Sequence, residues 1–397
     1  MFNHNEVAQE QEGSDPCVLW MGGIFDETTL LSHLSVSPAA NRWQACFVNA
    51  LNQERWSVKT IGHLPEPFWP RGRLYVHKNA GSLISGLEGS LMGYWNIPFV
   101  RSGYLAFQYR KACRLISCKC KKPRVIISYN LLPWTCNAGC YMKRKFDIPW
   151  ICVVADAPDE KYALSRHDAL LKQADGRIFL SWESYRSFRD GPKIHIDGGV
   201  KKCRLYNRQE RQKRVILYSG VMSRYGGVDL LIDAFKLVGN TDTELWLCGS
   251  GKNIHVRNVS RKDPRIKVFG LVSEKRLVKL ARRASVFVNP RPDIFASRHN
   301  FPSKILEYLS YEKPVVSTWT PGLSPEYREI LCFVERNSPE ALASKLEEVL
   351  SWSENDYKQM SVRIRSFLER CKFWGYQVRR FIDWLDHDVV PGIKALR

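Results

Sequence analysis

The chain has 397 residues and a formal net charge of +20, with 44% hydrophobic and 25% charged residues. These values indicate a soluble globular protein that is long enough for two domains. No apolar run approaches the ~18–20 residues that span a bilayer. Residues 1–15 are polar and acidic, lack the apolar core of a signal peptide and are expected to form a disordered tail. The 12 scattered cysteines favour reduced thiols in a cytoplasm.

Short apolar strands alternating with helical stretches predict a first α/β domain over residues 16–200. The first strand, Cys17–Met21, ends at Gly22 and Gly23, and a helix is expected from Ser37 to about residue 52. Further strands are predicted at residues 57–61, 124–130, 149–156, 176–181 and 193–197. This order is typical of βαβ units and a parallel sheet.

Residues 101–145 hold eleven Lys and Arg and no Asp or Glu, with aromatic residues between them. Such a basic segment favours a polyanionic partner, and both anionic lipid headgroups and nucleic acid qualify. A generally basic, solvated surface is the alternative interpretation.

Residues 201–213 are polar and basic, lack a strand pattern and are predicted to link two domains. A second α/β domain is predicted over residues 214–353, and C-terminal helices over residues 354–397. In the second domain, strands are expected at 214–220, 244–248, 266–270, 285–290 and 315–317, with helices at 228–238, 274–283 and 339–352. Because open α/β sheets bind ligands at the carboxyl ends of their strands, two such domains are expected to enclose a binding cleft.

The stretch from Phe301 to Leu309 predicts a helix whose first turn holds Ser303 and Lys304. Free N–H groups, the positive end of the helix dipole and the ammonium all favour a phosphate there. Glu307 lies one turn later on the same face, where a carboxylate suits the two hydroxyl donors of a ribose. The stretch therefore predicts a nucleotide-diphosphate site, and the alternative is an ordinary amphipathic helix with solvated charges.

Five segments of the second half occur together in a fixed order, at 218–235, 245–251, 263–272, 288–292 and 300–309. With them, the chain resembles the retaining glycosyltransferases of the GT-B fold, in particular the group 1 (family 4) branch. The resemblance covers roughly residues 214–350 well and residues 17–200 more loosely. It implies an α/β fold of two Rossmann-like domains that face a central cleft, with a C-terminal helix crossing back to the first domain.

The resemblance also implies that the second domain binds a nucleotide-diphosphate-sugar donor and that the first binds the acceptor, without a tightly bound cofactor. Carried over by position, Glu307 is the ribose-binding carboxylate and Lys304 reaches the diphosphate. His299 stands where many members have an acid that binds the donor sugar, and its imidazole can still hydrogen-bond a hydroxyl.

Further donor contacts are implied for glycine turns and for the backbone near the predicted helix. These residues are Gly22, Gly23, Gly220, Gly249, Gly251, Gly270, Leu271, Asn300 and Ser303. The glycines let the backbone approach the donor, residues 270–271 fall where the nucleobase packs, and residues 300–303 offer N–H groups to phosphate or sugar.

The chain departs from the family where many members carry an Arg and a Lys after the first glycine turn of the second domain. Here those positions are Val221 and Gly226. We expect Arg224 and Lys304 to supply the positive charge for the leaving diphosphate, with Arg291 as the third candidate. For the two arginines, a surface ion pair is the alternative role.

Asp156 follows the predicted strand at 149–156 and is the candidate for orienting the acceptor or accepting its proton. A cap on the next helix is its alternative role. Retaining transfer proceeds either through a carboxylate nucleophile or by front-face attack guided by the diphosphate, and no nucleophile is assigned here.

No metal site is expected. Asp386-His387-Asp388 has a metal-binding form but lies at the end of the final helix, and the cysteines lack the paired spacing of a zinc site. The sequence also lacks the phosphate-binding loop of P-loop ATPases and the Gly-x-Gly-x-x-Gly turn of dinucleotide oxidoreductases.

The leading hypothesis is a glycosyltransferase of the hexosyltransferase type, acting on a lipid-linked glycan or polysaccharide precursor. It is placed in the cytoplasm, peripherally on the inner face of an anionic membrane through residues 101–145, and nucleic acid is not the expected partner. The rival is a non-catalytic module that binds lipid or nucleic acid on a degenerate GT-B fold. Val221, Gly226 and His299 are the departures that favour the rival.

Overall fold

The computed structural model shows two α/β domains followed by helices. It describes residues 15–33, 35–78, 81–119, 122–156, 168–203, 214–251 and 254–391. The predicted tail and most of the predicted linker lie outside these ranges. Within them, no helix combines the length and apolarity needed to cross a membrane. The ten cysteines whose side chains are described are all free thiols.

The first domain is built on a parallel sheet. Its strands are β1 (Cys17–Met21), β2 (Ser57–Gly62), β3 (Tyr75–Val76), β4 (Glu88–Leu91), β5 (Tyr94–Trp95), β6 (Val125–Tyr129), β7 (Trp150–Val154), β8 (Gly176–Phe179) and β9 (Lys193–His195). Seven of them form one parallel sheet in the order β4-β2-β1-β6-β7-β8-β9, and β3 pairs with β5 in a separate antiparallel ribbon. Strands β1, β6 and β7 are buried throughout, which explains their continuous apolar sequences.

Five helices of the first domain are described: α1 (Glu27–Ser32), α2 (Pro38–Gln53), α3 (Val100–Lys119), α4 (Pro133–Phe146) and α5 (Trp182–Ser187). Helix α2 begins as predicted, with the Ser37 hydroxyl accepting from the Ala40 N–H and Pro38 in the first turn. The basic segment 101–145 consists mainly of α3 and α4 on either side of buried β6. Neither helix was predicted. Their buried positions, such as Leu105, Tyr109 and Cys113, are separated by many basic residues.

The second domain repeats this architecture. Its strands are β10 (Arg214–Ser219), β11 (Thr243–Cys248), β12 (Ile266–Gly270), β13 (Val286–Asn289), β14 (Val315–Thr318) and β15 (Cys332–Val334). Its helices are α6 (Val228–Leu237), α7 (Ile254–Lys262), α8 (Glu274–Arg283), α9 (Phe295–His299), α10 (Lys304–Leu309) and α11 (Pro339–Ser351). The six strands are parallel, in the order β12-β11-β10-β13-β14-β15. The strand order reverses at β10/β13, as it does at β1/β6, so both halves are Rossmann-like, as the sequence predicts.

The C-terminal helices α12 (Glu354–Cys371) and α13 (Trp374–Trp384) are separated at residues 372–373. At this break, Phe373 forms a parallel β-bridge with Val200, just after the last strand of the first domain. Helix α13 packs on α2, where the Phe47 ring lies 6.2 Å from Trp374 and 5.3 Å from Phe381. The last helix therefore returns to the first domain.

Candidate functional site

The centre of the site is the point where strand order reverses in the second sheet, between β10 and β13. Parallel sheets of this type bind ligands at the carboxyl ends of the strands at such a point. Gly220 follows β10, Arg291 follows β13, and Lys304 begins α10. A Cβ atom at residue 220 would lie 1.7 Å from Lys304 Nζ, so only glycine leaves room for the ammonium here.

Lys304 and Arg291 form a pair of cations beneath the cleft surface. Lys304 Nζ donates to Tyr218 Oη at 3.2 Å and lies 4.5 Å from the centroid of that ring. Burial lowers the pKa of Lys304 to about 8, repulsion from Arg291 adds to this, and Glu307 opposes it. Burial also lowers the pKa of Arg291, against the attraction of Tyr218 and Asp156.

One guanidinium nitrogen of this pair, Arg291 Nη1, is buried and has no hydrogen-bond partner among the described residues. Two half-buried cations that repel each other, one of which has an N–H donor without a partner, are suited to a ligand with more than one negative charge. A diphosphate meets this requirement, because several oxygens can accept from both side chains.

Arg224, which we ranked with Lys304, lies elsewhere. It is exposed on the 3-10 turn Arg224–Gly226, whereas the third-ranked Arg291 lies beside Lys304. A Cβ atom at Gly226 would lie 2.3 Å from Tyr218 Oη, so this turn has no room for the Lys that many family members carry. The structure thus groups Arg291 with Lys304, and a diphosphate contact by Arg224 stays a prediction.

Helix α10 has six residues and starts at Lys304, directly after Ser303. The Ser303 hydroxyl is exposed and makes no capping hydrogen bond. The Ser303 N–H donates to Phe301 O and the Ile305 N–H to Pro302 O, both at 3.0 Å. Two of the N–H groups expected to face an anion are therefore already bonded, and the Lys304 side chain is the stronger anion ligand in this turn.

Glu307 is bound across the cleft. Its Oε2 accepts from Arg42 Nη1 of α2 at 2.7 Å, so this ion pair joins the second domain to the first. Arg42 was not predicted as a site residue, because residues 37–43 indicate only the start of a helix. Nothing in the local sequence shows that this side chain meets a carboxylate 265 positions later.

Asp156 lies on the opposite side of the cleft, just after β7, and is exposed. Asn130, which follows the neighbouring strand β6, donates from Nδ2 to Asp156 Oδ2 at 3.1 Å. The Asp156 carboxylate raises the pKa of Arg291, so it attracts this member of the cation pair electrostatically. The helix that Asp156 was alternatively expected to cap falls on residues outside the described ranges.

His299 ends α9 and faces the first domain. Its Nδ1 lies 3.4 Å from Ser184 Oγ of α5, and the Phe295 ring lies 4.8 Å away. Burial lowers the pKa of His299, so the imidazole is neutral near pH 7. A neutral imidazole offers one donor and one acceptor, which suits a sugar hydroxyl better than a phosphate.

The other predicted glycine turns lie at strand ends. A Cβ atom at Gly249 would lie 1.8 Å from Gly220 O, and the Gly249 N–H donates to Gly270 O at 2.7 Å, so three strand ends are held close together. Gly251 has a positive φ of 128° in the following turn. Leu271, next to Gly270, exposes 72% of its surface and offers an apolar face. At Gly22 and Gly23 of the first domain, added Cβ atoms would meet the side chains of Gln44 and Phe25.

A cavity of about 310 Å³ lies at the corresponding reversal of strand order in the first domain, next to Gly22. Within it, His63 Nδ1 lies 3.0 Å from Tyr109 Oη, and the rings of Tyr94, Tyr109 and Trp134 meet the imidazole edge-on. Burial lowers the pKa of His63 to about 4, with a further contribution from Arg101. This cavity could not be predicted from the sequence, because its lining comes from distant segments that only the fold brings together.

The described residues contain one group of three side chains able to bind a metal ion, His195, Asp197 and Glu326. The Lys372 ammonium donates to Asp197 Oδ2 at 2.7 Å and to Glu326 Oε1 at 2.6 Å. The Lys372 ammonium therefore occupies the position that a metal ion would take between these carboxylates. The group is an ion network within the protein.

Comparison with known proteins agrees with this architecture. Residues 213–351 match the family described as Glycosyl transferases group 1. No curated protein matches the chain by sequence. Among solved structures, sucrose-phosphate synthase from Thermosynechococcus elongatus superposes with a TM-score of 0.69 at 15% identity, over 93% of this chain and 98% of that one.

Two further structures are similar over almost the whole chain. A glycosyltransferase from Rickettsia africae ESF-5 has a TM-score of 0.70 at 12% identity, covering 94% of this chain and 99% of its own. Anabaena Alr3699/HepE in complex with UDP and glucose has a TM-score of 0.61 at 14% identity, covering 92% and 99%.

The two Rossmann-like domains and the cleft between them define a protein of the GT-B fold, which confirms the predicted fold class. Within that fold, residues 213–351, which hold the second domain, are similar to the Glycosyl transferases group 1 family.

Proposed function

We propose that the chain transfers a sugar from a nucleotide-diphosphate-sugar to an acceptor held in the cleft. The observation that carries this proposal is the pair of half-buried cations, Lys304 and Arg291, at the reversal of strand order in the second sheet, with Arg291 Nη1 lacking a hydrogen-bond partner among the described residues. These two side chains bind the diphosphate and stabilise the charge that develops on it as the glycosidic bond breaks. Arg224, on its exposed turn, is the third cation that we assign to the diphosphate.

The remaining donor contacts are assigned to residues around this pair as part of the same proposal. Glu307 accepts the two ribose hydroxyls and releases Arg42. Leu271 packs on the nucleobase beside Gly270, and the turns at Gly220, Gly249 and Gly251 let the backbone approach the donor. Asn300 and Ser303 border the diphosphate, and His299 hydrogen-bonds a hydroxyl of the donor sugar.

The acceptor binds on the first-domain side, where Asp156 orients the attacking hydroxyl or accepts its proton. The acceptor class is a lipid-linked glycan or a polysaccharide precursor at the cytoplasmic face of a membrane, and transfer proceeds with retention. The basic helices α3 and α4 support the membrane part of this proposal, and the family match supports the transfer itself.

A thermal-shift and hydrolysis screen with uridine and guanosine diphosphate sugars tests the proposal. One base is expected to raise the unfolding midpoint by several degrees, since a ligand that binds only the folded state at about 100 times its Kd contributes about 2.7 kcal/mol. The matched control is Lys304→Met, which keeps the length of the side chain and loses the charge. If no diphosphate sugar shifts the midpoint or is turned over, the non-catalytic polyanion-binding alternative is the better description.

The pKa of Lys304 predicts how donor affinity depends on pH. Since this pKa is about 8 in the free protein, the ammonium is present below pH 8 and is lost above it. Affinity for a nucleoside diphosphate is therefore expected to be level below pH 8 and to fall by up to about tenfold per pH unit above it. Calorimetric titration of the wild type, Lys304→Met and Lys304→Arg measures this.

In that series the Arg variant should hold its affinity to higher pH, because a guanidinium stays charged, and the Met variant should bind weakly at every pH. A wild-type profile that is flat from pH 7 to pH 10 would contradict the assignment of Lys304 to the diphosphate.

A further inference from the structure

The first domain exposes a group of apolar side chains around the loop of residues 65–74 and the start of α3. This aromatic tip consists of Phe68, Trp69, Leu74, Trp95, Phe99, Val100 and Phe107. Phe99 is wholly exposed, and Phe107 exposes 53% of its surface. Single exposed apolar residues are ordinary on protein surfaces, but a contiguous group of large ones marks an interaction site.

Two contacts hold the loop of residues 65–74 against the neighbouring segments of the tip. The Trp69 N–H donates to Asn96 O at 3.1 Å, which places it next to Trp95. The Arg101 guanidinium lies 3.5 Å from the centroid of the Phe68 ring and joins the loop to α3. The backbone of Phe99 has a positive φ of 66°, a strained conformation for a bulky residue, and such strain concentrates at functional positions.

The exposed face of α3 changes from apolar to basic along its length. Val100, Phe107, Lys111 and Arg114 follow one another at helical spacing, and all four are exposed. Beyond them, Arg110, Arg144 and Lys145 line a groove of about 470 Å³ between α3 and α4 with Tyr141. The tip is thus bordered by a basic rim, which consists of Arg110, Lys111, Arg114, Arg144 and Lys145.

The tip also lies beside the first-domain cavity. Arg101 and Glu66 line that cavity, and the Arg101 guanidinium packs on Phe68 of the tip. A partner surface that binds the tip therefore also lies next to the cavity.

We propose that the aromatic tip and its basic rim dock the chain on an anionic lipid bilayer, with the first-domain cavity next to the lipid, so that the acceptor is an amphiphile whose apolar anchor stays in the membrane. This inference rests on the proposed sugar transfer and names the acceptor side of it. The apolar side chains enter the region between headgroups and acyl chains, and the basic rim binds the headgroups.

Charge and shape favour a bilayer over other partners. Residues 101–145 contain no acidic residue, so the rim suits an anionic surface. Aromatic rings also stack on unpaired bases, but Leu74 and Val100 are aliphatic and gain only from an apolar environment. Single-stranded nucleic acid and a second copy of the chain are therefore the competing outcomes of the test.

Sedimentation with phosphatidylcholine vesicles, with and without phosphatidylglycerol, tests the docking. The wild type is expected to bind the anionic vesicles. Lys111→Ser/Arg114→Ser should bind them about 30-fold more weakly, since each basic residue at an anionic surface contributes about fivefold. Phe99→Ser/Phe107→Ser should lose about tenfold or more, and this loss should persist at high salt, because apolar insertion is not screened.

Matched controls on the exposed face of α12 are Val362→Ser for the apolar change and Lys358→Ser/Arg363→Ser for the charge change, and both should bind like the wild type. The thermal shift by a nucleoside diphosphate should be unchanged in the docking variants, which separates loss of docking from loss of the donor site. Transfer to an acceptor carried in vesicles of extracted lipid should fall in parallel with binding.

Three results would overturn the docking proposal while leaving sugar transfer intact. These are equal binding of neutral and anionic vesicles by the wild type at low salt, tighter binding of single-stranded DNA than of vesicles, and a dimer in light scattering that Phe99→Ser/Phe107→Ser converts to monomer. Conversely, vesicle binding without any donor-induced shift would support docking and remove the transferase proposal.

Discussion

Replacing Glu307 with alanine is expected to lower kcat/KM for sugar transfer by about 100-fold or more, since two hydrogen bonds to a charged group together contribute about 3 kcal/mol or more. The carboxylate lies one turn beyond Lys304 and one of its oxygens already accepts from Arg42 at 2.7 Å. A ribose presents two hydroxyl donors in place of this guanidinium. Steady-state kinetics with the donor identified by screening, together with circular dichroism to verify the fold, measure the effect.

The ion pair itself requires a control, because Glu307→Ala also removes the bridge between the two domains. Arg42→Ala breaks the same bridge but keeps the carboxylate, and it is expected to retain transfer within a few fold of the wild type. Arg42 is exposed over 56% of its side chain, so little stability depends on this pair. Equal losses in both variants would assign Glu307 to domain bridging, and full activity of Glu307→Ala would contradict the ribose contact.

The elements that were predicted well are strands buried on both faces of the sheet, because such burial requires a continuous apolar sequence. Strands such as β1 and β10 are continuous apolar runs that end in glycine, because parallel strands are covered by helices on both faces. Lys304 and Glu307 were predicted from the sequence to share one face of a helix, since helical spacing alone places them there, and their contacts with a donor stay predictions. Local chemistry was sufficient for these residues.

The residues that the sequence did not reveal depend on distant contacts. In the sequence, Arg42 is an ordinary arginine in the first turns of a helix. Only the fold shows that it binds Glu307. Arg291 ranked below Arg224 because the exposure of a side chain cannot be read from the local sequence. Only the fold shows that Arg291 is close enough to Lys304 to repel its ammonium. Asp197 and Lys372 were missed for the same reason, as 175 positions separate them.

Asp197 and Lys372 form the part of the fold where a single change should affect stability most. Lys372→Met is expected to reduce the free energy of unfolding by about 3–5 kcal/mol, since it leaves a buried carboxylate without its cation. Asp197 is buried after β9 and accepts from Lys372 Nζ at 2.7 Å and from Tyr327 Oη at 2.7 Å. The network joins the first domain, the second domain through residues 326–327, and the break between α12 and α13. Denaturant unfolding followed by fluorescence measures the loss.

Two further variants separate this network from ordinary ion pairs. Arg379→Ala removes an exposed pair with Glu54, also between the last helix and the first domain, and should cost about 1 kcal/mol or less. Asp197→Asn combined with Lys372→Met should recover part of the loss, because no charge then stays buried without a partner. Purely additive losses in the double variant would contradict the pairing.

The pH dependence gives an independent test of the same network. Burial by itself raises the pKa of Asp197, but Lys372, His195 and the hydrogen bonds from Lys372 and Tyr327 together hold it below its ordinary value of 3.8. A carboxyl whose pKa is lowered on folding stabilises the fold above its unfolded pKa, and this contribution is lost as the pH falls through the folded value. The difference in stability between the wild type and Lys372→Met should therefore shrink as the pH falls, first as Asp197 of the variant binds a proton above its ordinary pKa of 3.8, and finally as Asp197 of the wild type does so below it. A difference that stays constant down to pH 3 would show that Lys372 stabilises the fold by packing, and that its charge on Asp197 contributes little.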